Sequence, residues 1–286
     1  MDFKDILLIS DYDNTMTGER HLVPEENLRA IREFTAEGGA FTIASGRGMR
    51  EWYESFCEVP FNAPLVLSNG AVIYDTIENK ILYEAVLSEE QKRLTRELFR
   101  TIPEGCGGLI EVGAKSYIPA EIYEKSLFKG FPGQEILTPP MAEIPDGWSK
   151  VCFIQLPTQF NLQDRETFEM SRFAADLVDE AERQAEEIGL KGIRSLPFVY
   201  EISPEGVDKG TSARRLLEIL GKKVLAVVGD APNDLAMLQA ADLAFVPRES
   251  ILTETDTVPE GAILTVRCEE AALADVIRLL REMKDM

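Results

Sequence analysis

The sequence predicts an α/β protein with a Rossmann-like, doubly wound parallel sheet as its core and a smaller α+β domain inserted into it. Three observations carry that expectation. Short continuous apolar runs alternate with helical patterns at both ends of the 286-residue chain, as parallel strands joined by helices require. The middle breaks this rhythm with hairpin patterns, prolines and a long charged helix. Finally, the residues able to do chemistry fall at the ends of the apolar runs, where open parallel sheets bind their ligands.

Taken in order, residues 5–10 form a continuous apolar run, the pattern of a strand buried on both faces. Pro24 opens a helix with Leu28, Ile31 and Phe34 on one side, and Gly38 with Gly39 stops it. Residues 40–44 make a second strand, 49–57 the next helix and 65–67 a third strand of the parallel set. Residues 71–74 and 80–83 flank a turn and read as a hairpin. Ser88 with Gln91 is a capping box for a helix reaching about Thr101. Residues 105–119 read as short strands with glycine turns, and Pro132, Pro139, Pro140 and Pro145 mark an irregular stretch. A strand at 149–156, a charged helix at 165–188 and two short strands within 191–202 complete the middle block. The α/β rhythm then returns. Asp208 caps a helix to Leu220, 223–228 is a strand, 232–240 a helix and 243–246 a strand. Residues 269–283 form a closing amphipathic helix with Leu273, Val276, Leu279 and Leu280 inward. These boundaries give a core of residues 1–82 and 200–286, with an inserted domain at 83–199.

Composition narrows the partners. Fifty acidic against thirty basic residues leave a net charge of −20, which repels nucleic acid and anionic lipid alike. A small molecule is the expected partner, with no nucleic acid and no membrane, and the chain a monomer or homodimer. The apolar run at 6–9 is too short for a signal segment or a membrane span, so a cytoplasmic protein is expected. Cys57, Cys106, Cys152 and Cys268 lie far apart, which suits reduced core thiols better than a disulfide framework or a zinc site. His21 is the single histidine, too few for a His-based metal site, and reads as a surface or gate residue.

Four segments carry chemistry. Asp11 and Asp13 leave the first strand on the same side, two residues apart. Paired carboxylates repel unless a cation intervenes, and a hard divalent ion such as Mg2+ prefers oxygen ligands. A calcium loop counted from Asp11 needs Gly and Glu where Met16 and Leu22 stand, so that reading fails. Ser45 follows the second strand, with Gly46 letting backbone approach an anion and Arg47 able to reach a phosphate oxygen or another substrate group. Lys209 opens a helix, where the dipole disfavours a cation unless an anion is near. Asp230, Asn233 and Asp234 converge within one turn after the strand at 223–228. Singly, these read equally well as polar turns, a solvated lysine and a helix cap. Together they assemble the groups that bind a divalent metal and a phosphate.

The ordered set Asp11-x-Asp13-x-Thr15, Ser45, Lys209 and Gly229-Asp230-x-x-Asn233-Asp234 resembles the haloacid dehalogenase superfamily. Ser68-Asn69-Gly70-Ala71 before a large insertion, and the segment Glu201 to Gly210, resemble its Cof-type phosphatases with a C2-type cap. That resemblance implies a Mg2+-dependent phosphatase acting on a small phosphorylated metabolite, a sugar phosphate first, through an aspartyl-phosphate intermediate. It implies Asp11 as nucleophile and Asp13 as acid–base catalyst, with its backbone carbonyl on Mg2+. Asp11, Asp13 and Asp230 would hold the metal, and Ser45, Gly46, Lys209 and Asn233 the phosphate. Asp234, Thr15, Arg47 and Asn69 would support the site or touch substrate. A phosphomutase or phosphotransferase on the same core is the alternative enzyme, and a ligand-binding regulator the alternative outside catalysis. The chain departs from the family at Asn14, where Gly is usual, and at Tyr12, often a smaller aliphatic. Asn tolerates left-handed backbone, so the turn is expected to persist.

Overall fold

The computed structural model of the chain describes residues 2–17, 22–49, 56–130, 135–155, 175–196 and 198–285. The chain divides into two compact units, Met1–Arg47, Trp52–Tyr83 and Val207–Met286 against Gly48–Glu51 and Glu84–Gly206.

The first unit is built on a parallel sheet in the order Ile263–Thr265, Leu243–Pro247, Val224–Val228, Ile6–Ser10, Ala40–Ile43. Every residue of Ile6–Ser10 is buried, which explains an unbroken apolar run in place of alternation. Leu7 and Ile9 share a core cluster with Leu216 and Leu217 of the helix Lys209–Ile219 and with Met237. The helix Glu25–Ala36 buries Leu28, Ile31 and Phe34 and packs against the helix Ala272–Asp285. Phe34 meets Phe3 with ring centroids 4.9 Å apart. Burying each such side chain contributes roughly 1.5–3 kcal/mol. From Ile6–Ser10 the chain runs outward to Ala40–Ile43, and on its return it fills the opposite side from Val224–Val228. Strand order therefore reverses between these two central strands, and a crevice for ligands opens beyond their carboxyl ends.

The third strand continues the parallel set at its edge: a parallel bridge joins Ala44 to Val66, and Ser45 N donates to Val66 O at 2.9 Å. On its other side Leu65–Leu67 pairs antiparallel with Val72–Asp75, in a sheet that also holds Lys80–Glu84. The hairpin comes from the turn between them. Ser68, Asn69 and Gly70 have φ of 50°, 53° and 100°, so the chain reverses before any crossover helix can form. Gly70 has no substitute there: a Cβ would stand 2.2 Å from the Asp208 carbonyl oxygen.

The second unit holds a sheet in the order Ile193–Leu196, Val199–Ile202, Trp148–Ile154, Gly107–Val112, Lys115–Tyr117, Ile136–Leu137. Its pairings are antiparallel except the last. The helix Glu89–Thr101 starts with the expected Ser88–Gln91 capping box and sets Phe99 on Phe153, 5.0 Å between ring centroids. Asp176–Glu187 adds Val178, Ala181 and Ala185 to the same core. Alternate strand positions carry Glu111, Lys150 and Glu201, a buried ion cluster in which Lys150 Nζ lies 3.1 Å from each carboxylate. A parallel core with helices and a separate, mainly antiparallel region is thus the architecture expected from the sequence. Of the expected helix at 49–57, residues 50–55 lie outside the described residues, as do 165–174 of the charged helix, His21, Pro132 and Leu156. No helix of the described residues is long and apolar enough to cross a membrane.

Candidate active site

All four chemical segments belong to the first unit. Asp11 directly follows Ile6–Ser10, and its amide donates to Val228 O at 2.9 Å, continuing the parallel ladder one residue past the strand. Asp230 leaves the neighbouring strand at nearly the same level. The two carboxylates therefore meet because their strands are adjacent and in register, Ser10 opposite Val228. Asp234 comes from the first turn beyond. It accepts the amides of Asp230 and Ala231 on Oδ2, both at 3.1 Å, which folds the segment Gly229–Asp234 back on itself. Gly229 is required by this fold-back, since a Cβ would stand 2.5 Å from that of Asp234.

Lys209, fully buried at the start of its helix, reaches Asp11 Oδ1 at 2.6 Å and Asp234 Oδ1 at 2.7 Å. Its helix is capped by Asp208, whose carboxylate accepts from Thr211 N. The unfavourable dipole at that end is thus offset by three nearby acids. Carboxylate oxygens of Asp11, Asp230 and Asp234 all lie within 4.8 Å of one another. With all three acids ionised, the one ammonium would leave two negative charges uncompensated in a buried place.

Proton affinities follow from that imbalance. Burial pushes Asp11 up to about 7; Lys209 pulls the other way, but Asp234 and Asp13 add to the rise. Burial likewise drives Asp230 well above the carboxylate range, helped by Asp11 and Asp234. Burial opposes the Lys209 charge, yet Asp11 and Asp234 overcome it and hold the ammonium above its ordinary value. Low-dielectric surroundings make both effects large.

The remaining predicted residues fall around this centre. Asp13, about one-third exposed, is gripped by Arg47 through Nε at 2.9 Å and Nη2 at 2.7 Å. Thr15 Oγ1 donates to Asp230 Oδ1 at 2.5 Å. Ser45 is buried, and its Oγ accepts from Arg47 N at 3.1 Å, which leaves its proton to offer. Asn69 donates its amide to Ser45 O at 3.1 Å. Its Oδ1 accepts from Asn233 Nδ2 at 3.4 Å and stands 3.1 Å from where a Gly46 Cβ would sit. Asn14 takes the left-handed conformation, φ 59°, so the turn persists without glycine. Tyr12 turns its ring onto Phe56, 4.6 Å between centroids, with the Arg47 guanidinium 5.9 Å from the ring centroid.

Asp11 and Asp230 each keep an Oδ2 that accepts no hydrogen bond among the described residues, while both oxygens of Asp234 are committed. Two open hard oxygen donors and two surplus negative charges fit a small divalent cation. Sequence reasoning gave no sign of two neighbours. Cys268 Sγ donates to Asn14 O at 2.8 Å, and Asn27 Nδ2 donates to Met16 O at 3.3 Å. Neither lies in a motif, and Cys268 is separated from Asn14 by 254 positions.

Comparison with known proteins gives the family and the fold. A family described as haloacid dehalogenase-like hydrolase matches residues 8–246. A putative phosphatase of Bacillus subtilis, YxeH, is 24% identical over 244 residues, spanning 82% of this chain and 84% of its own. A phosphoglycolate phosphatase of Methanopyrus kandleri is 21% identical, covering 98% of each chain. Among solved structures, a haloacid dehalogenase-like hydrolase from Bacteroides thetaiotaomicron superposes with TM-score 0.71 at 19% identity, covering 96% of this chain and 98% of that one. A subclass IIB sugar phosphatase of the superfamily gives 0.72 at 14% identity, over 96% and 98%. These two likenesses speak for the fold.

Proposed function

This chain belongs to the haloacid dehalogenase-like hydrolases, and we propose that it is a Mg2+-dependent phosphatase that hydrolyses a small phosphorylated metabolite through an aspartyl phosphate. Its class is that of a phosphoric monoester hydrolase, the activity named for its relatives. The observation that carries the reading is the buried set Asp11, Asp230, Asp234 and Lys209, whose surplus of two negative charges calls for a divalent cation and whose ammonium offers a phosphate anchor. Asp11, Asp230 and the backbone carbonyl of Asp13 are the groups proposed to hold Mg2+. When bound there, Mg2+ supplies charge stabilisation to the transferring phosphoryl group.

Asp11 is the nucleophile: one of its carboxylate oxygens forms a bond to phosphorus while the bond from phosphorus to the ester oxygen breaks. Lys209, held between Asp11 and Asp234, positions one phosphate oxygen, and the Ser45 hydroxyl donates to another, with Gly46 and Asn233 lining the phosphate. Asp13 gives a proton to the leaving oxygen, then takes one from the water that opens the aspartyl phosphate and returns Asp11. Such a proton transfer is worth about 10²–10⁴ in rate. Arg47 grips both Asp13 oxygens, so that pair opens before Asp13 acts, and the freed guanidinium faces the substrate. Asp234 and Thr15 act at one remove by orienting Lys209 and Asp230. Substrate selectivity is assigned to the inserted unit together with Arg47 and Asn69. A sugar phosphate is the first candidate, the substrate class named for one structural relative.

The test is phosphate release from a panel of sugar, polyol and carboxylic acid phosphates with Mg2+, repeated in excess EDTA. Turnover of one class that stops with chelator and returns with Mg2+ is expected. Full activity in EDTA sinks the mechanism.

A further inference from the structure

The loop carrying the proposed nucleophile is tied internally on one side only. Met16 and Thr17 donate their amides to Tyr12 O, both at 3.1 Å, and Asn14 N donates to Thr17 Oγ1 at 3.2 Å. The carbonyls of Asn14 and Met16 face away from these bonds and are met from elsewhere. Cys268, buried just before the last helix, donates to Asn14 O. Asn27, fully buried in the helix Glu25–Ala36, donates to Met16 O.

Asn27 does a second thing with the same carboxamide. Its Oδ1 accepts the amide of Ala274 at 2.9 Å, in the first turn of Ala272–Asp285, where helix amides have no partner of their own. That helix follows Ala271 at φ 64°, a residue with no side-chain acceptor, so the cap comes from another helix. One amide group thus joins the start of the last helix to the nucleophile loop, and the thiol six residues before Ala274 joins it again. Only a side chain with both donor and acceptor can do this, and Asn carries the two on separate atoms of one planar group.

We propose that Asn27 and Cys268 are positioning residues for catalysis, fixing the backbone of Asn14 and Met16 against the C-terminal helix so that Asp11 and Asp13 stand at the reacting height. The inference rests on the reading of Asp11 and Asp13 given above. It has a clear chemical signature: what counts is the donor, and not the bulk. Cys268→Ser keeps a donor, Cys268→Ala removes it, and Asn27→Asp keeps the helix cap while losing the donor to Met16.

The experiment measures steady-state turnover of an aryl phosphate with Mg2+, together with amide hydrogen exchange of the peptide covering residues 11–17. Cys268→Ala and Asn27→Asp are expected to lower kcat on the order of ten-fold with KM nearly unchanged, since misplaced reacting groups cost rate more than binding. Exchange in 11–17 is expected to quicken in both, while Cys268→Ser stays close to wild type in both measurements. Wild-type kcat and exchange in Cys268→Ala overturns the proposal, as does an equal fall in Cys268→Ser and Cys268→Ala. Should Asn27→Asp fail to fold, the two Cys268 variants decide alone. Failure of the phosphatase reading is distinct: wild type then releases no phosphate, while the exchange comparison still reports whether these two residues hold the loop.

Discussion

Of the three lysines buried among the described residues, Lys150 and Lys209, one in each unit, sit among buried carboxylates, and the backbone around them makes opposite use of the charges. Lys150 stands in the middle of a strand, directly opposite Glu111 and diagonal to Glu201 on the other flanking strand. Its own strand therefore separates the two acids, and its ammonium lies 3.1 Å from each. Lys209 stands where strands end. Asp11 and Asp230 leave adjacent strands side by side, Asp234 folds back from a turn, and three carboxylates crowd within 4.8 Å. Strand interiors keep like charges apart at pleat spacing, whereas strand ends can gather them. The first arrangement spreads its charges across three strands; the second gathers carboxylates at one place, which is where the proposed function sets a cation and a phosphate.

The largest expected difference at the second cluster lies between Asp11 and its neighbour Asp13, two identical side chains given different proposed roles. Asp11→Asn removes the proposed nucleophile, so turnover and covalent phosphoenzyme are both expected to vanish. Asp13→Asn keeps its backbone carbonyl but loses proton transfer, and is expected to slow turnover by about 10²–10⁴. With an aryl phosphate, whose leaving group needs little protonation, Asp13→Asn should accumulate phosphoenzyme. Acid quench and intact-mass measurement check this, and an adduct on Asp11→Asn but not on Asp13→Asn reverses the two roles.

A second contrast separates the lysines themselves. Lys150→Met removes the ammonium from between two buried carboxylates and is expected to cost about 3–5 kcal/mol of stability, read by urea denaturation. Adding Glu111→Gln and Glu201→Gln should return most of it, because the charges then leave together. Lys209→Met is expected to abolish phosphate turnover in Mg2+ even where the protein stays folded. Retained turnover in that variant breaks the distinction between the clusters.

The smallest effect is a pH dependence. Asp11 is pushed up to about 7, so the metal-free native state holds a proton that the unfolded chain releases near 3.8. The native state binds more protons across that window, so this group makes stability fall as pH rises from about 4 to about 7. A divalent cation displaces that proton, and the gain in melting temperature from Mg2+ should be larger at pH 7.5 than at pH 5. An equal gain at both places the cation elsewhere.

The parallel core was legible because strands buried on both faces leave continuous apolar runs, and helices leave a stripe. Ser88 with Gln91, and Asp208, announced their helices locally, as caps do. The motif acids were legible for a related reason: each lies within a few residues of a strand end, and sheet topology alone then brings them together. What the sequence left open depends on partners far along the chain. Leu65–Leu67 does run parallel to Ala40–Ile43, but its apolar residues do not record that its other edge pairs with the hairpin strand Val72–Asp75, which the three left-handed residues between them decide. The grip of Arg47 on the Asp13 carboxylate, and the hold of Cys268 and Asn27 on backbone carbonyls of the loop behind it, are made by side chains of ordinary type to partners distant in sequence. A local pattern reports how a segment meets solvent and core in general. Which particular atom completes a buried carbonyl or carboxylate is settled only when distant segments pack, because burial forces every polar group to find whatever partner the fold has brought within reach.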